Sequence, residues 1–256
     1  MTHIDLNSDV GEVPEAIVDG TQEAMMASLT SVNVACGGHA GDVDTMKATI
    51  DQALRHGLVV GAHPGYPDRA SFGRRELNLP ADTVRETVFD QVRTLALVGE
   101  RCGTVIAHVK PHGALYNQAV ENRALAQAIA EGVARWRRDV VLVGLAGSPM
   151  LEVFRDAGFA VAAEAFADRR YERDGTLRSR QLADALIRDP QEVGRQALDI
   201  AARGVVIAAD GSELRMRAET LCIHGDTPGA PAIAAAVARI LREAGVTLSP
   251  LVRPGP

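Results

Sequence analysis

The chain has 256 residues, 46% hydrophobic and 23% charged, with a formal net charge of −6 and a pI near 5.7. This length fits one large α/β domain spanning 1–256 as easily as two small ones. The acidic balance argues against nucleic acid or an anionic membrane as partner, and no apolar run approaches the ~20 residues of a membrane helix. Cys36, Cys102 and Cys222 lack metal-ligand spacing, and Met1-Thr2-His3-Ile4-Asp5 does not look like a secretion signal, so reduced thiols in a cytoplasmic protein are expected.

In chain order, His3 to Asn7 reads as a short strand and Gln22 to Leu29 as a short helix. Ser31 to Cys36 is a second strand, broken by Gly37-Gly38. Asp42 caps a helix whose apolar face is Val43, Met46, Ile50, Ala53 and Leu54, stopped at Gly57. Leu58 to Ala62 forms a third strand, and a helix follows from about Ala81 to Val98. Thr104 to Ala107 leads a strand into His108-Val109-Lys110-Pro111-His112, where alternation puts His108, Lys110 and His112 on one face until Pro111 and Gly113 end it.

A helix with Leu125, Ile129, Val133 and Trp136 comes next, then the apolar strand Val140 to Leu145. Ser148-Pro149 starts a helix as cap and first residue. Ala160 to Ala167 is a strand, and Asp189-Pro190-Gln191-Glu192 matches a capping box opening a helix that ends by Gly204. Thr220 to Ile223 is the last strand, Ile233 to Leu241 lie on the last helix, and the Pro/Gly-rich tail 249–256 is expected to fray.

This alternation of strand, loop and helix predicts an α/β fold of parallel βα units. A distorted (β/α) barrel of about seven strands fits the length best, with an open doubly wound sheet as competitor. No phosphate-cradling Gly-x-x-x-x-Gly-Lys-Ser/Thr loop or Gly-x-Gly-x-x-Gly turn occurs, so a nucleotide must be held some other way or by another chain.

Polar residues collect where strands end: Asp5, Asn7 and Asp9; Asn33, Cys36 and His39; His63; Lys110 and His112; Glu164 and Asp168; His224 and Asp226. Five of the seven histidines lie there, with only His3 and His56 elsewhere. Carboxyl ends of parallel strands form the active face, which predicts one shared pocket. Asp5 fits a structural tie as well as chemistry, and Cys36 fits a small buried thiol better than a nucleophile. Two Arg-Arg pairs, Arg74-Arg75 and Arg169-Arg170, suggest anion capture in an acidic protein.

Seven blocks in order carry a resemblance: Asp5-Leu6-Asn7-Ser8-Asp9-Val10-Gly11-Glu12; Asn33-Val34-Ala35-Cys36-Gly37-Gly38-His39-Ala40-Gly41-Asp42; Gly61-Ala62-His63-Pro64-Gly65-Tyr66-Pro67-Asp68; Phe72-Gly73-Arg74-Arg75; Val109-Lys110-Pro111-His112-Gly113-Ala114-Leu115-Tyr116-Asn117; Glu164-Ala165-Phe166-Ala167-Asp168-Arg169-Arg170-Tyr171; and Ile223-His224-Gly225-Asp226-Thr227-Pro228. The chain resembles the LamB/YcsF family of 5-oxoprolinase A subunits. Gly38 stands where the family usually has Phe, Val43 where it has Pro, and Gly65 where it often has Ser; losing the aromatic at Gly38 is expected to reshape the pocket wall.

The resemblance implies a barrel akin to sugar-deacetylase and glycoside hydrolase barrels. It also implies opening of the lactam 5-oxoproline (pyroglutamate) to L-glutamate, coupled to ATP hydrolysis, with two other 5-oxoprolinase subunits as partners. ATP would be bound or used with those partners, consistent with the missing phosphate loop. A lactam carbonyl resists water, and phosphorylating its oxygen makes a good leaving group. Asp9, His39, His63 and His112 are the candidates for activating water, and Lys110 for neutralising developing charge. Arg169 or Arg170 would hold the substrate carboxylate, and His224 and Asp226 would orient a base or bind phosphate. Asn7, Asn33, Glu164 and Asp168 complete the substrate-binding candidates. Two rivals share the barrel. One is a metal-dependent hydrolase or sugar deacetylase, with Asp and His at strand ends able to hold Zn²⁺ and the need for a divalent metal left open. The other is a non-catalytic small-molecule-binding subunit.

Overall fold

The computed structural model describes residues 2–252. Its centre is a closed barrel of seven parallel strands: β1 (His3–Val10), β2 (Ser31–Ala35), β3 (Val59–His63), β4 (His108–Val109), β5 (Val141–Leu145), β6 (Ala160–Phe166) and β9 (Thr220–Cys222). Each pairs with the next, and β9 closes the ring by pairing with both β6 and β1. Strand β10 (Thr247–Leu248) adds to the start of β1, and the hairpin β7 (Val205–Ile207) and β8 (Glu213–Arg215) stands apart. Ser249 N donates to Ile4 O at 3.1 Å; the last four residues of the expected frayed tail, 253–256, lie outside the described residues.

Nine α-helices surround the barrel among the described residues: α1 (Pro14–Val18), α2 (Thr21–Met26), α3 (Val43–Arg55), α4 (Ala81–Arg101), α5 (Gly113–Glu121), α6 (Arg123–Trp136), α7 (Pro149–Asp156), α8 (Pro190–Leu198) and α9 (Ala230–Glu243). None is long and apolar enough to cross a membrane. Outward strand residues such as Leu6, Val32, Val34, Val60, Val109 and Leu142 are buried against helix stripes such as Val88, Val92 and Leu95. That apolar layer is the core; burying each such side chain stabilises by roughly 1.5–3 kcal/mol.

Several local expectations are corrected. Thr104 to Ile106 stay outside the ladder, because Thr104 N turns back to Gly99 O at the end of α4; pairing begins at Ala107, whose N donates to Val60 O and whose O accepts from Val141 N. Ser148 and Pro149 do open α7 as N-cap and first residue, but the Ser148 hydroxyl makes no capping bond and donates to Leu145 O. Asp189 accepts from Gln191 N and Glu192 N, but Glu192 does not return the bond and pairs with Arg170, so the capping box is half made. At Asp42 the reciprocal box does form, with Thr45 as partner. The expected helix with Leu125, Ile129, Val133 and Trp136 forms as α6, capped by the Asn122 side chain, and a further helix, α5, precedes it.

Candidate active site

Parallel barrels usually fill their interior with branched apolar side chains. This one is filled with hydrogen-bonded polar groups. In the lowest layer Asp5 accepts from Thr30, Ser31 and Thr220 hydroxyls, at 2.6, 2.9 and 2.5 Å. Burial raises the Asp5 carboxyl above its usual range even against those three bonds. Asp5 is therefore a tie between β1, β2 and β9.

The middle layer joins Asn7, Asn33, His108 and Glu164. Asn7 donates to Glu164 Oε1 (3.2 Å) and Thr220 Oγ1 (2.6 Å), Asn33 donates to Asn7 Oδ1 (2.8 Å), and His108 Nε2 donates to Asn33 Oδ1 (2.8 Å). The His108 ring lies where a Gly61 side chain would be, so β3 needs glycine there. Burial first, and Lys110 second, push His108 down to about 3, which keeps it neutral.

The upper layer is the floor of the site. Lys110 Nζ lies 2.9 Å from Asp9 Oδ1, 2.8 Å from Glu164 Oε1 and 3.1 Å from Cys222 Sγ. Burial alone would lower the Lys110 ammonium, but Asp9, Cys222 and Glu164 outweigh it and hold it well above its usual value. Burial likewise pushes Asp9 up, and the His63 and Lys110 charges hold it well below the carboxylate range. Tyr116 OH and Glu164 Oε2 are buried here without a hydrogen-bond partner.

Beside this floor the end of β3 and the loops after β1, β2 and β4 bring His63 together with Glu12, His39 and His112. Glu12 Oε1 lies 2.8 Å from His39 Nε2 and 3.1 Å from His112 Nδ1. The His39 and His112 rings stack at 3.6 Å. Gly113, at φ +55°, permits the approach: a Cβ there would meet Gly73 O at 2.7 Å. Two groups present donor atoms within 4.8 Å of one another and are able to hold a metal: Glu12, His39, His63 and His112; and Asp9, Cys222 and His224.

On the opposite wall Asp168 accepts from His224 N (3.0 Å) and faces His224 Nδ1 at 2.9 Å, while the His224 ring stacks on Phe166 at 5.4 Å. A carboxylate accepts, so Nδ1 carries the proton and the free lone pair of the ring falls on Nε2. A cavity of about 600 Å³ opens above, rimmed by Arg74, Arg75, Arg169, Arg178 and Arg180. Arg169, buried and beside Arg180, is pushed down to about 10 and its Nε has no partner.

Of the candidates, Asp9, His63, Lys110, His112, Arg169 and His224 line this cavity. Asn7, Asn33 and Glu164 are buried in the barrel interior, among the layers that carry the floor, and Asp168 stands behind His224. Three placements correct the sequence reading. Arg170 pairs with Glu192 and does not line the cavity. His39 is sealed behind Glu12. Asp226 pairs with Arg74 and Arg180, which makes it a partner of rim cations and a poor phosphate ligand. Nor does Gly38 shape the wall: it lies outside the lining, and the Gln91 amide, bonded to Gly65 N and O, fills the place of a side chain. Sequence reasoning missed Glu12, Tyr116 and Cys222 as site members. Glu12 and Tyr116 lie within the seven blocks, but neither follows the strand alternation that marked the others.

The molecule is thus a closed parallel (β/α) barrel with a charged, buried site at the carboxyl ends of its strands, the class to which barrel hydrolases belong. The chain belongs to the LamB/YcsF family, which matches residues 4–254. It is 46% identical over 248 residues to a protein of Chloroflexus aggregans named as the A subunit of 5-oxoprolinase, covering 97% of this chain and 98% of that one. Its structure is similar to the lactam utilization protein from Thermus thermophilus, with TM-score 0.89, 41% identity, and 96% and 99% of the two chains covered. A family 4 carbohydrate esterase from Streptomyces lividans shares the fold alone, at TM-score 0.52 and 10% identity over 98% and 94% of the chains.

Proposed function

We propose that this chain is the lactam-opening subunit of an ATP-dependent 5-oxoprolinase. The relatives named as A subunits of 5-oxoprolinase, near-complete in coverage, support the substrate class and the need for other subunits. The observation that carries the reading is Lys110, held charged under the cavity between Asp9 and Glu164 with the Tyr116 hydroxyl on the same lining. A fixed cation and a hydroxyl donor in a dry floor suit an oxygen that gains negative charge.

In the proposed sequence ATP transfers its γ-phosphoryl group to the lactam oxygen, with the partners holding the nucleotide. Water then adds to the former carbonyl carbon, and His224 Nε2 takes its proton. The C–N bond breaks, the nitrogen leaves protonated, and γ-glutamyl phosphate remains. A second water cleaves that acyl phosphate to L-glutamate and phosphate. Arg169 and the rim arginines suit the carboxylate and phosphoryl groups. General base help of this kind contributes roughly 10²–10⁴-fold.

The test is reconstitution: the purified chain, with and without two partner subunits, given ATP and 5-oxoproline, with glutamate and phosphate followed separately. Stoichiometric formation of both only in the full mixture, lost with Lys110→Ala, is expected. Glutamate formation undiminished by Lys110→Ala would exclude the electrostatic role.

A further inference from the structure

His63 and His112 have their tautomers set by the backbone. His63 Nδ1 lies 2.7 Å from Lys110 O, and His112 Nε2 lies 2.8 Å from Phe72 O. A carbonyl oxygen only accepts, so both nitrogens are N–H. In the neutral rings the lone pairs are then on His63 Nε2 and His112 Nδ1, and these two atoms face each other at 2.9 Å.

Carboxylates crowd the same point. Glu12 Oε1 is 3.1 Å from His112 Nδ1 and 3.7 Å from His63 Nε2, and Asp9 Oδ2 is 3.2 Å from His63 Nε2. Four acceptors converge with no donor among them. A proton on His63 Nε2 relieves its contacts with His112 and Asp9. It leaves His112 Nδ1, still an acceptor, against Glu12. All four side chains are at most 9% exposed, so water does little to soften that contact.

We propose that Glu12, His63 and His112 are a divalent transition-metal site, with the open side of the ion toward the cavity that all three residues line. Two imidazoles and one carboxylate are a set used for zinc and other first-row ions with open positions. Donors about 2.1 Å from one ion lie about 3.0–3.4 Å apart in octahedral or tetrahedral arrangement, and the three separations here are 2.9, 3.1 and 3.7 Å. Both histidines already give their far N–H to a backbone carbonyl, the partner that orients metal-bound imidazoles. His39 is a positioning residue: its Nε2, 2.8 Å from Glu12 Oε1, donates to the carboxylate, and its parallel stacking on His112 aims its own lone pair elsewhere.

The site does not depend on which molecule the cavity opens, so it is tested without substrate. The full chain, dialysed against a chelator, is titrated calorimetrically with Zn²⁺, and with Co²⁺ while visible absorption is recorded. One equivalent, Co²⁺ bands, and a higher melting temperature in the loaded protein are expected. His112→Gln and Glu12→Gln should each weaken binding by at least about 100-fold, and His39→Gln by about 10–100-fold. Cys222→Ser, in the other donor cluster, should bind as the parent does. Circular dichroism of each metal-free variant separates lost ligands from lost fold. Substoichiometric binding by the parent chain overturns the proposal outright, as does undiminished affinity in a folded His112→Gln or Glu12→Gln variant. Neither result bears on lactam opening, which the reconstitution assay judges separately.

Discussion

Lys110 Nζ lies 2.8 Å from Glu164 Oε1, and the two side chains are 2% and 0% exposed. With Asp9 at 2.9 Å on its other side, this lysine is a cation shared by two carboxylates. Lys110→Met leaves both carboxylates facing each other without it. Breaking a buried pair in this way costs about 3–5 kcal/mol. Urea denaturation of parent and variant measures it. A loss below about 1 kcal/mol, the scale of a surface pair, would show that the charges are not confined as the geometry requires.

Asp168 reaches the reaction only through His224. Asp168→Asn keeps the shape but permits the amide nitrogen to face His224 Nδ1, which favours the wrong tautomer. A fall of about 10²–10⁴-fold in kcat for glutamate formation is expected, with KM little changed and the acid limb of the pH–rate profile displaced. A change in KM alone would place the pair in substrate binding.

His108 makes stability depend on pH. Its folded-state value of about 3 lies below the 6.5 of the free side chain. Between these values the unfolded chain binds the extra proton, so stability rises with pH up to about 6.5 and is lost as pH falls toward 3. From pH 6.5 to 5 this one residue removes about 2 kcal/mol. His108→Gln, which preserves a donor for Asn33, should flatten that slope. Urea midpoints at pH 7.5, 6 and 5 report it, and an unchanged slope would mean that another group titrates there.

Gly61 tests the packing of the interior. An alanine methyl at that position runs into the His108 ring, which Asn33 holds in place. Overpacking of this kind costs about 1–3 kcal/mol. Gly61→Ala should lower the melting temperature, and in the double variant with His108→Ala the alanine at Gly61 should cost much less. Equal costs in both backgrounds would show that the ring moves aside freely.

Much of the site is legible in the chain alone. Apolar runs ended by Gly, Pro and polar residues mark the strands and their carboxyl ends, because strand alternation and turn chemistry are local. His63, Lys110, His112 and His224 are found that way, and they do line one cavity. Arg169 and Arg170 look equivalent as neighbours. They separate because adjacent residues project to opposite sides, one toward the cavity and one toward Glu192 on α8. Glu12 escapes notice since it sits beyond the end of β1 in a turn, where no periodicity indicates direction.

The sequence by itself determined the parallel βα order and the mouth at which chemistry collects, since both follow from patterns spanning a few residues. Only the tertiary structure decided who pairs with whom. Closure of β9 onto β1 brings Thr220 to Asp5, and the ring as a whole sets Lys110 between Asp9 and Glu164, partners 101 residues and 54 residues away along the chain (110 − 9 and 164 − 110). A charge or tautomer inside the barrel is fixed by such distant neighbours at about 3 Å. Electrostatic interaction falls with separation in space and is blind to separation in sequence.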